Sequence, residues 1–307
     1  MAKRPFTWRG FLWRWTKRLF LLVVLAFCVC TWWIFPRYIT QIDALNSFFR
    51  RRPGRRIPQE LPEHTCTSTD GQTLAYDTWE PRGDSATTTV ILLHGIRSHR
   101  YQHADLARDF LLPAGFRAVL MDHRSHGHST GDWCTFGVKE GQDVSRVIDD
   151  LEARGDGTDH YVVWGYSLGG SVAAQTLAGD PRIDAGIIES TFASYNEVVH
   201  NYMDRFAVDL GWYGDLLAWR AASMADFQVD DAVTEEVFKR VRQPVFMAHG
   251  TEDRSIPYNH GRRNFDAIPH TNKQWFTLEG YGHRGVVRSR PAEYEGLLLD
   301  FLNKLGN

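Results

Sequence analysis

The sequence predicts an α/β protein: a mostly parallel β-sheet with helices on both faces, a small helical cap over its strand ends, and one N-terminal transmembrane helix. Three observations carry this. Short β-branched runs alternate with segments of helical period from about residue 65 onward, the pattern of a parallel sheet wrapped by helices. A Gly-x-Ser-x-Gly turn, Gly165 to Gly169, joins a buried strand to a small-residue helix. Residues 19–35 contain no charge at all.

The N-terminal part reads as three pieces: a basic segment over 1–18, a transmembrane helix over 19–35, and a basic, proline-containing linker over 36–60. Seventeen residues of helix cover about 25 Å, the short end of what spans a bilayer. Trp13 and Trp15 flank one end and Trp32 and Trp33 the other, where interfacial aromatics belong. A buried core helix and a cleaved signal peptide are the alternatives. Thr31-Trp32-Trp33 is too bulky for a cleavage site, and Phe27 before Cys28 is too bulky for lipid attachment. Lys3, Arg4, Arg9, Arg14, Lys17 and Arg18 precede the span and Arg37, Arg50, Arg51, Arg52, Arg55 and Arg56 follow it, with Asp43 the one acid before residue 57. The upstream charges lie closer, which predicts the N-terminus inside and the following domain outside. The downstream cluster fits anionic headgroups or a solvated linker equally. Removing residues 1–56 is expected to release a soluble, active domain.

That domain is expected over 61–307. With 43% hydrophobic and 23% charged residues the chain is a folded one, and a net charge of −2 gives nucleic acid no purchase on it. Cys66 and Cys134 lie in the soluble part without a disulfide framework or metal spacing, so their pairing stays open, as does the oligomeric state.

In order, Thr65 to Trp79 reads as two strands turning at Asp70-Gly71, and Thr87 to Leu93 as a buried strand ending in His94-Gly95. Arg100 to Leu112 is a helix closed by Pro113 and Gly115, followed by a strand over Phe116 to Asp122. Val144, Val147, Ile148 and Leu151 mark a helix on the sheet. The strand Tyr161 to Trp164 feeds the Gly165 turn, and Ser171 to Ala178 is the helix after it. Ile183 to Glu189, Val245 to His249 and Lys273 to Leu278 are further strands; Tyr294, Leu297, Leu298, Phe301, Leu302 and Leu305 give a last helix. Residues 192–241 break the alternation and carry Tyr195, Tyr202, Phe206, Trp212, Tyr213, Trp219 and Phe227. They are read as an inserted cap, the alternative being ordinary helix-packing surface.

The turn at Ser167 is too sharp for a side chain two residues either side, hence its glycines. It would lift the Ser167 hydroxyl clear of the sheet and aim the Leu168 amide into the same space, a nucleophile with half of an oxyanion hole. An incidental serine on a glycine-rich turn is the alternative. A base and an orienting carboxylate can both be placed: Asp253 follows the strand ending at His249, and His283 follows the last strand, each in a loop at a strand end. Glu252 reads as a solvated neighbour and Tyr166 as a pocket wall. His94, His99, His103, His123, His126 and His128 invite a metal reading, but only His99 and His103 share a helical face.

With these residues in view the chain resembles the α/β-hydrolases, close to the serine aminopeptidase-like and monoacylglycerol-lipase-like groups and the membrane-anchored α/β-hydrolase-domain proteins, over about residues 65 to 305. His94-Gly95, the run Asp122-His123-Arg124-Ser125-His126-Gly127-His128-Ser129 and the acid loop His249 to Pro257 match that family's motifs, with Ser125 in place of a usual glycine. The resemblance implies a serine hydrolase without metal or organic cofactor. Ser167 would attack an acyl carbonyl, His283 would act as base and then acid, Asp253 would orient it, and the amides of Ile96 and Leu168 would bind the oxyanion. A membrane-anchored esterase acting on small acyl or lipid esters, such as a monoacylglycerol or lysophospholipid, is expected. Its acyl-binding residues would be Tyr166, Trp212 and Trp219. A peptidase or acyl-protein thioesterase on the same triad is the alternative, and a non-catalytic binding protein is disfavoured by the intact triad.

Overall fold

The computed structural model describes residues 8–41, 58–83, 86–204 and 211–305. Lys3, Arg4, the linker residues 42–57 with their arginines and Pro53-Gly54, and Phe206 of the expected cap lie outside them.

Eight strands form one sheet in the order β1-β2-β4-β3-β5-β6-β7-β8: β1 His64–Thr67, β2 Thr73–Trp79, β3 Thr88–Leu93, β4 Arg117–Met121, β5 His160–Tyr166, β6 Ile183–Glu189, β7 Val245–Gly250 and β8 Lys273–Leu278. From β4 to β8 every pairing is parallel, while β1 and β2 join antiparallel at one edge. Successive side chains of a strand point to opposite faces. Ile91, Leu93, Val119, Met121 and Val163 therefore meet one helical layer, and Val90, Leu92, Leu120, Val162 and Trp164 the other. This double burial is why the parallel strands read as unbroken apolar runs.

The helices are α1 Trp8–Thr40, α2 Val138–Ala153, α3 Leu168–Gly179, α4 Tyr195–Asp204, α5 Trp212–Ala225, α6 Thr234–Phe238, α7 Tyr258–Ala267, α8 Gly285–Arg288 and α9 Ala292–Asn303. α4, α5 and α6 lie within the expected cap, which contains no strand among the described residues. The expected helix over 100–112 is irregular: 3₁₀ at Arg100–His103, α at Ala104–Leu106 and π at Ala107–Leu111. Its first turn is pulled tight because Asp122 accepts from the Arg100 amide at 2.6 Å. Helix α7 was not expected. Its buried residues are His260, Gly261 and Asn264, so it has no apolar stripe to betray it.

Helix α1 corrects the expected boundary at residue 35. It continues through Pro36 to Thr40, so the first residues of the supposed linker are helical. Leu19 to Leu25 are exposed, and the helix is long and apolar enough to cross a membrane. Its last turns behave differently. Phe35 and Ile39 are buried in the same core as the sheet, and the Thr40 carbonyl accepts from the Cys134 amide at 2.8 Å. Truncation at residue 56 would therefore remove core side chains along with the anchor.

Ile39→Ala is expected to destabilise the domain built on the sheet by about 2–5 kcal/mol, the usual loss for truncating a buried isoleucine. Leu22→Ala, on the exposed stretch, should leave it unchanged. Denaturant unfolding of the full-length protein in detergent measures both.

Candidate active site

The turn after β5 is held by backbone contact. A Cβ on Gly165 would lie 2.0 Å from the Gly169 carbonyl oxygen, and one on Gly169 would lie 2.0 Å from that of Leu93. Only glycine lets α3 start this close to β3 and β5. Ser167 between them is forced to φ 54°, ψ −116°, a conformation costing roughly 1–3 kcal/mol. The surroundings impose it: the Ser167 amide donates to Glu189 O at 2.9 Å, and Thr191 Oγ1 donates to Ser167 O at 2.8 Å.

The structure brings Ser167, His283 and Asp253 together. His283 Nε2 lies 3.0 Å from Ser167 Oγ, and His283 Nδ1 lies 2.6 Å from Asp253 Oδ2. With Nδ1 donating to the carboxylate, Nε2 is left to accept the serine proton. The loops carrying the acid and the histidine are tied to each other. The Glu252 amide donates to Tyr281 O, the Thr251 amide to Leu278 O, and the Gly280 amide to Thr251 Oγ1. Gly250 is required there, because its Cβ would lie 2.1 Å from Tyr281 O.

Asp253 is buried, which opposes its ionisation, but its partners prevail. His249 and His283 face it, and Oδ1 accepts from the amides of Ser255 at 2.8 Å and Ile256 at 2.9 Å. They hold the carboxyl well below the usual carboxylate range. Glu252 beside it is exposed.

The loop after β3 runs past the serine. His94 is fully buried, and burial pushes its pKa down to about 4. The neutral ring accepts from the His123 amide at Nε2, 3.2 Å, leaving Nδ1 to donate to Gly95 O at 2.8 Å. The Gly95 amide donates to Gln102 Oε1, and the Arg97 amide to His126 Nε2 at 3.1 Å. Ile96 is thereby held beside Ser167. Two buried arginines support this region: Arg100 bonds Asp77 and Asp122, and Arg124 bonds Asp143 and Asp70. The motif from Asp122 to Ser129 is thus framework. His123, like His94, spends ring and backbone atoms on this loop; among the described residues no three His, Cys, Asp or Glu side chains group as metal ligands. Ser125, standing where the resembled family has glycine, sits at φ 61° with its buried hydroxyl unpaired. The turn survives the replacement at a cost.

A cleft of about 770 Å³ opens over Ser167, lined by Ile96, Leu168, Tyr166 and apolar side chains including Phe136, Phe192, Val198 and Ile256. Arg97, Arg284 and Arg288 also line it, and no Asp or Glu does among the described residues. Tyr166 is a wall residue whose hydroxyl donates to His283 O at 2.7 Å. Trp212 and Trp219 are not in the cleft: they are 72% and 53% exposed on α5. Aromatic content located the cap, but which face of α5 looks inward was set by its packing through Tyr213, Leu217 and Ala221. Phe136, Phe192 and Tyr38 of the lining were missed; Phe192 lay at the edge of the expected cap, and nothing in the sequence marked the other two. Cys66 and Cys134 are both free thiols.

Comparisons with known proteins agree with this fold. A family model described as Hydrolase_4, serine aminopeptidase S33, matches residues 84–233, a stretch that contains Ser167 and ends before Asp253 and His283. The uncharacterized protein YfhR of Escherichia coli (strain K12) is 26% identical, covering 93% of this chain and 94% of its own. Human monoglyceride lipase is 29% identical over 140 residues, 44% of this chain and 45% of the lipase. An esterase from Pyrococcus furiosus, Pf2001, superposes with a TM-score of 0.67 at 20% identity, over 82% of this chain and 97% of the esterase, a likeness of fold.

Asp253→Asn should lower turnover by on the order of ten-thousandfold, as loss of the orienting carboxylate does in other triads, while Glu252→Gln stays near wild type in ester hydrolysis at equal folded concentration. Because the folded carboxyl ionises at lower pH than the unfolded one, its contribution to stability is complete above about pH 4 and is lost as pH falls through its folded value. Urea unfolding at successive pH values should show a flatter acid limb for Asp253→Asn. Ser125→Gly should raise stability by about 1 kcal/mol by relieving the left-handed conformation, read as a higher urea midpoint.

Proposed function

The chain is an α/β-hydrolase, and we propose that it is a membrane-anchored serine hydrolase that cleaves acyl esters of the lipid type through an acyl-enzyme. The hydrogen-bonded series Ser167–His283–Asp253, whose Ser167 and His283 border a cleft of mixed apolar and basic lining, carries this reading. Ser167 Oγ attacks the acyl carbonyl as its proton passes to His283 Nε2, and Asp253 stabilises the imidazolium. The amides of Ile96 and Leu168, which both border the cleft at Ser167, receive the negative charge that develops on the carbonyl oxygen. His283 gives its proton to the departing alkoxide. Water then enters and attacks the acyl carbon as its proton passes to His283, which returns a proton to Ser167 Oγ as the acid leaves.

The apolar part of the lining, Phe136, Phe192, Val198 and Ile256, favours an acyl chain, since each buried methylene contributes about 0.8 kcal/mol. A monoacylglycerol or lysophospholipid supplies such a chain, and the name of monoglyceride lipase among the relatives supports that class. The family model's description favours a peptidase instead. An aminopeptidase must hold a substrate ammonium, however, and among the described residues the cleft offers it arginines and no carboxylate. Arg14, Lys17 and Arg18 stand before the apolar stretch of α1, which supports insertion with the N-terminus inside and the hydrolase domain outside. Protease protection in sealed vesicles of known orientation would overturn this if the domain were shielded from the outer face.

Ser167→Ala should reduce p-nitrophenyl ester turnover by about a thousandfold or more and abolish labelling by a fluorophosphonate, with thermal unfolding unchanged. Comparable turnover in the mutant rejects the nucleophile. A substrate panel of esters, thioesters and aminoacyl amides on the wild type then decides between the readings. Faster cleavage of the amides than of any ester would promote the peptidase.

A further inference from the structure

Helix α1 has two surfaces in series. From Leu19 to Leu25 its side chains are exposed. From Thr31 onward it is bound to the domain. The Tyr213 hydroxyl of α5 bonds the Thr31 hydroxyl, the Arg220 guanidinium lies 5.4 and 5.6 Å from the rings of Trp32 and Trp33, and Phe35, Pro36, Ile39 and Thr40 are buried. Tyr38 lies in this docked stretch and borders the same cleft as Ser167.

Tyr38 is held from two directions. Arg97, the neighbour of Ile96, donates from Nη2 to Tyr38 O at 2.6 Å, and its guanidinium lies 4.5 Å from the Tyr38 ring centre. From the cap, the Tyr202 ring meets the Tyr38 ring edge-on at 6.2 Å between centres. Arg97 takes a left-handed backbone conformation, φ 58°, in reaching this position. A side chain clamped between the loop beside the serine and the cap is not a tether. It closes a gap that the hydrolase domain leaves open.

We propose that Tyr38 is a specificity-determining residue, so that the N-terminal helix supplies one wall of the cleft that receives the acyl group. The proposal rests on the serine-hydrolase reading above and adds to it where the acyl chain is measured. Tyr38 is three residues past Phe35, the end of the uncharged run. That is about 4.5 Å along a helix, so the cleft wall stands within one turn of the apolar run, at the end of the helix that is docked on the domain. Phe136, Phe192 and Val198 border the same cleft and would complete the surroundings of an acyl chain beside Tyr38.

The test uses full-length protein in detergent micelles and a series of p-nitrophenyl esters from acetyl to dodecanoyl. Tyr38→Ala is expected to raise KM for the octanoyl ester about fivefold or more, the scale at which an apolar pocket discriminates. Its kcat on the acetyl ester should stay within about twofold, since the short acyl group does not reach the wall. Tyr38→Trp narrows the cleft and should shift the preferred chain to a shorter one. Tyr38→Phe keeps the ring and the carbonyl that Arg97 uses and should match wild type, as should the distant Trp219→Ala. A merely structural role for Tyr38 would instead lower kcat for all esters alike, together with the unfolding temperature, and that result overturns the proposal. So does an unchanged chain-length profile in variants whose Ser167 still reacts with a fluorophosphonate. Where Tyr38→Ala does not fold, Tyr38→Trp decides in the same way. A wild type that a fluorophosphonate fails to label rejects the serine-hydrolase reading itself, and the proposal with it.

Discussion

The close approach of backbone to backbone at the Ser167 elbow governs the position of everything that acts on it. Gly165 and Gly169 allow α3 to begin against β3 and β5 without room for a Cβ. Strain at Ser167 is the result, and it persists because hydrogen bonds from the end of β6 and from Thr191 leave the residue no relaxed alternative. The serine is thus presented at the carboxyl ends of the parallel strands. The loops after β3, β7 and β8 emerge at the same edge, so one sheet delivers the Ile96 loop, Asp253 and His283 to one place.

Charge burial stabilises that edge. Arg100 and Arg124 are almost wholly enclosed, and an enclosed charge without partners costs several kcal/mol. Each is answered by two carboxylates that come from different elements: Asp77 on β2 and Asp122 after β4, Asp70 in the β1–β2 turn and Asp143 on α2. These pairs clamp the loop containing Asp122 to Ser129, which in turn braces Arg97 through His126. Residues that read as a family signature therefore act by position. The unpaired, left-handed Ser125 shows that the clamp is strong enough to impose a turn on a residue that does not favour it.

The N-terminal helix joins two functions that composition alone keeps apart. As a whole it is long and apolar enough to cross a membrane. Its last turns are part of the domain's core, and Arg97 ties them to the loop beside the serine. Inserted in a bilayer, a helix with such an end would hold the domain rigidly at the lipid surface instead of letting it swing on a tether.

What the sequence by itself determined was local. Period-two and continuous apolar runs marked all eight strands, because burial on one or both faces writes itself into residue order. The glycines around Ser167 and the loop placement of Asp253 and His283 were legible because those constraints act within a few residues. What only the tertiary structure decided depended on distant partners. Helix α7 stayed hidden because its buried face is His260, Gly261 and Asn264: Gly261 lies against the His249 ring, while His260 and Asn264 bond the backbone of Ala193 and Phe192. Trp212 and Trp219 were assigned to the cleft on composition, but the docking of α5 on α1 turned them outward. Tyr38 entered the cleft from beyond the supposed domain boundary, since a helix that looks like lipid-facing surface to residue 35 carries no local mark of the core it meets next. The direction in which a side chain faces is settled by what packs against its element, and that partner is written elsewhere in the chain.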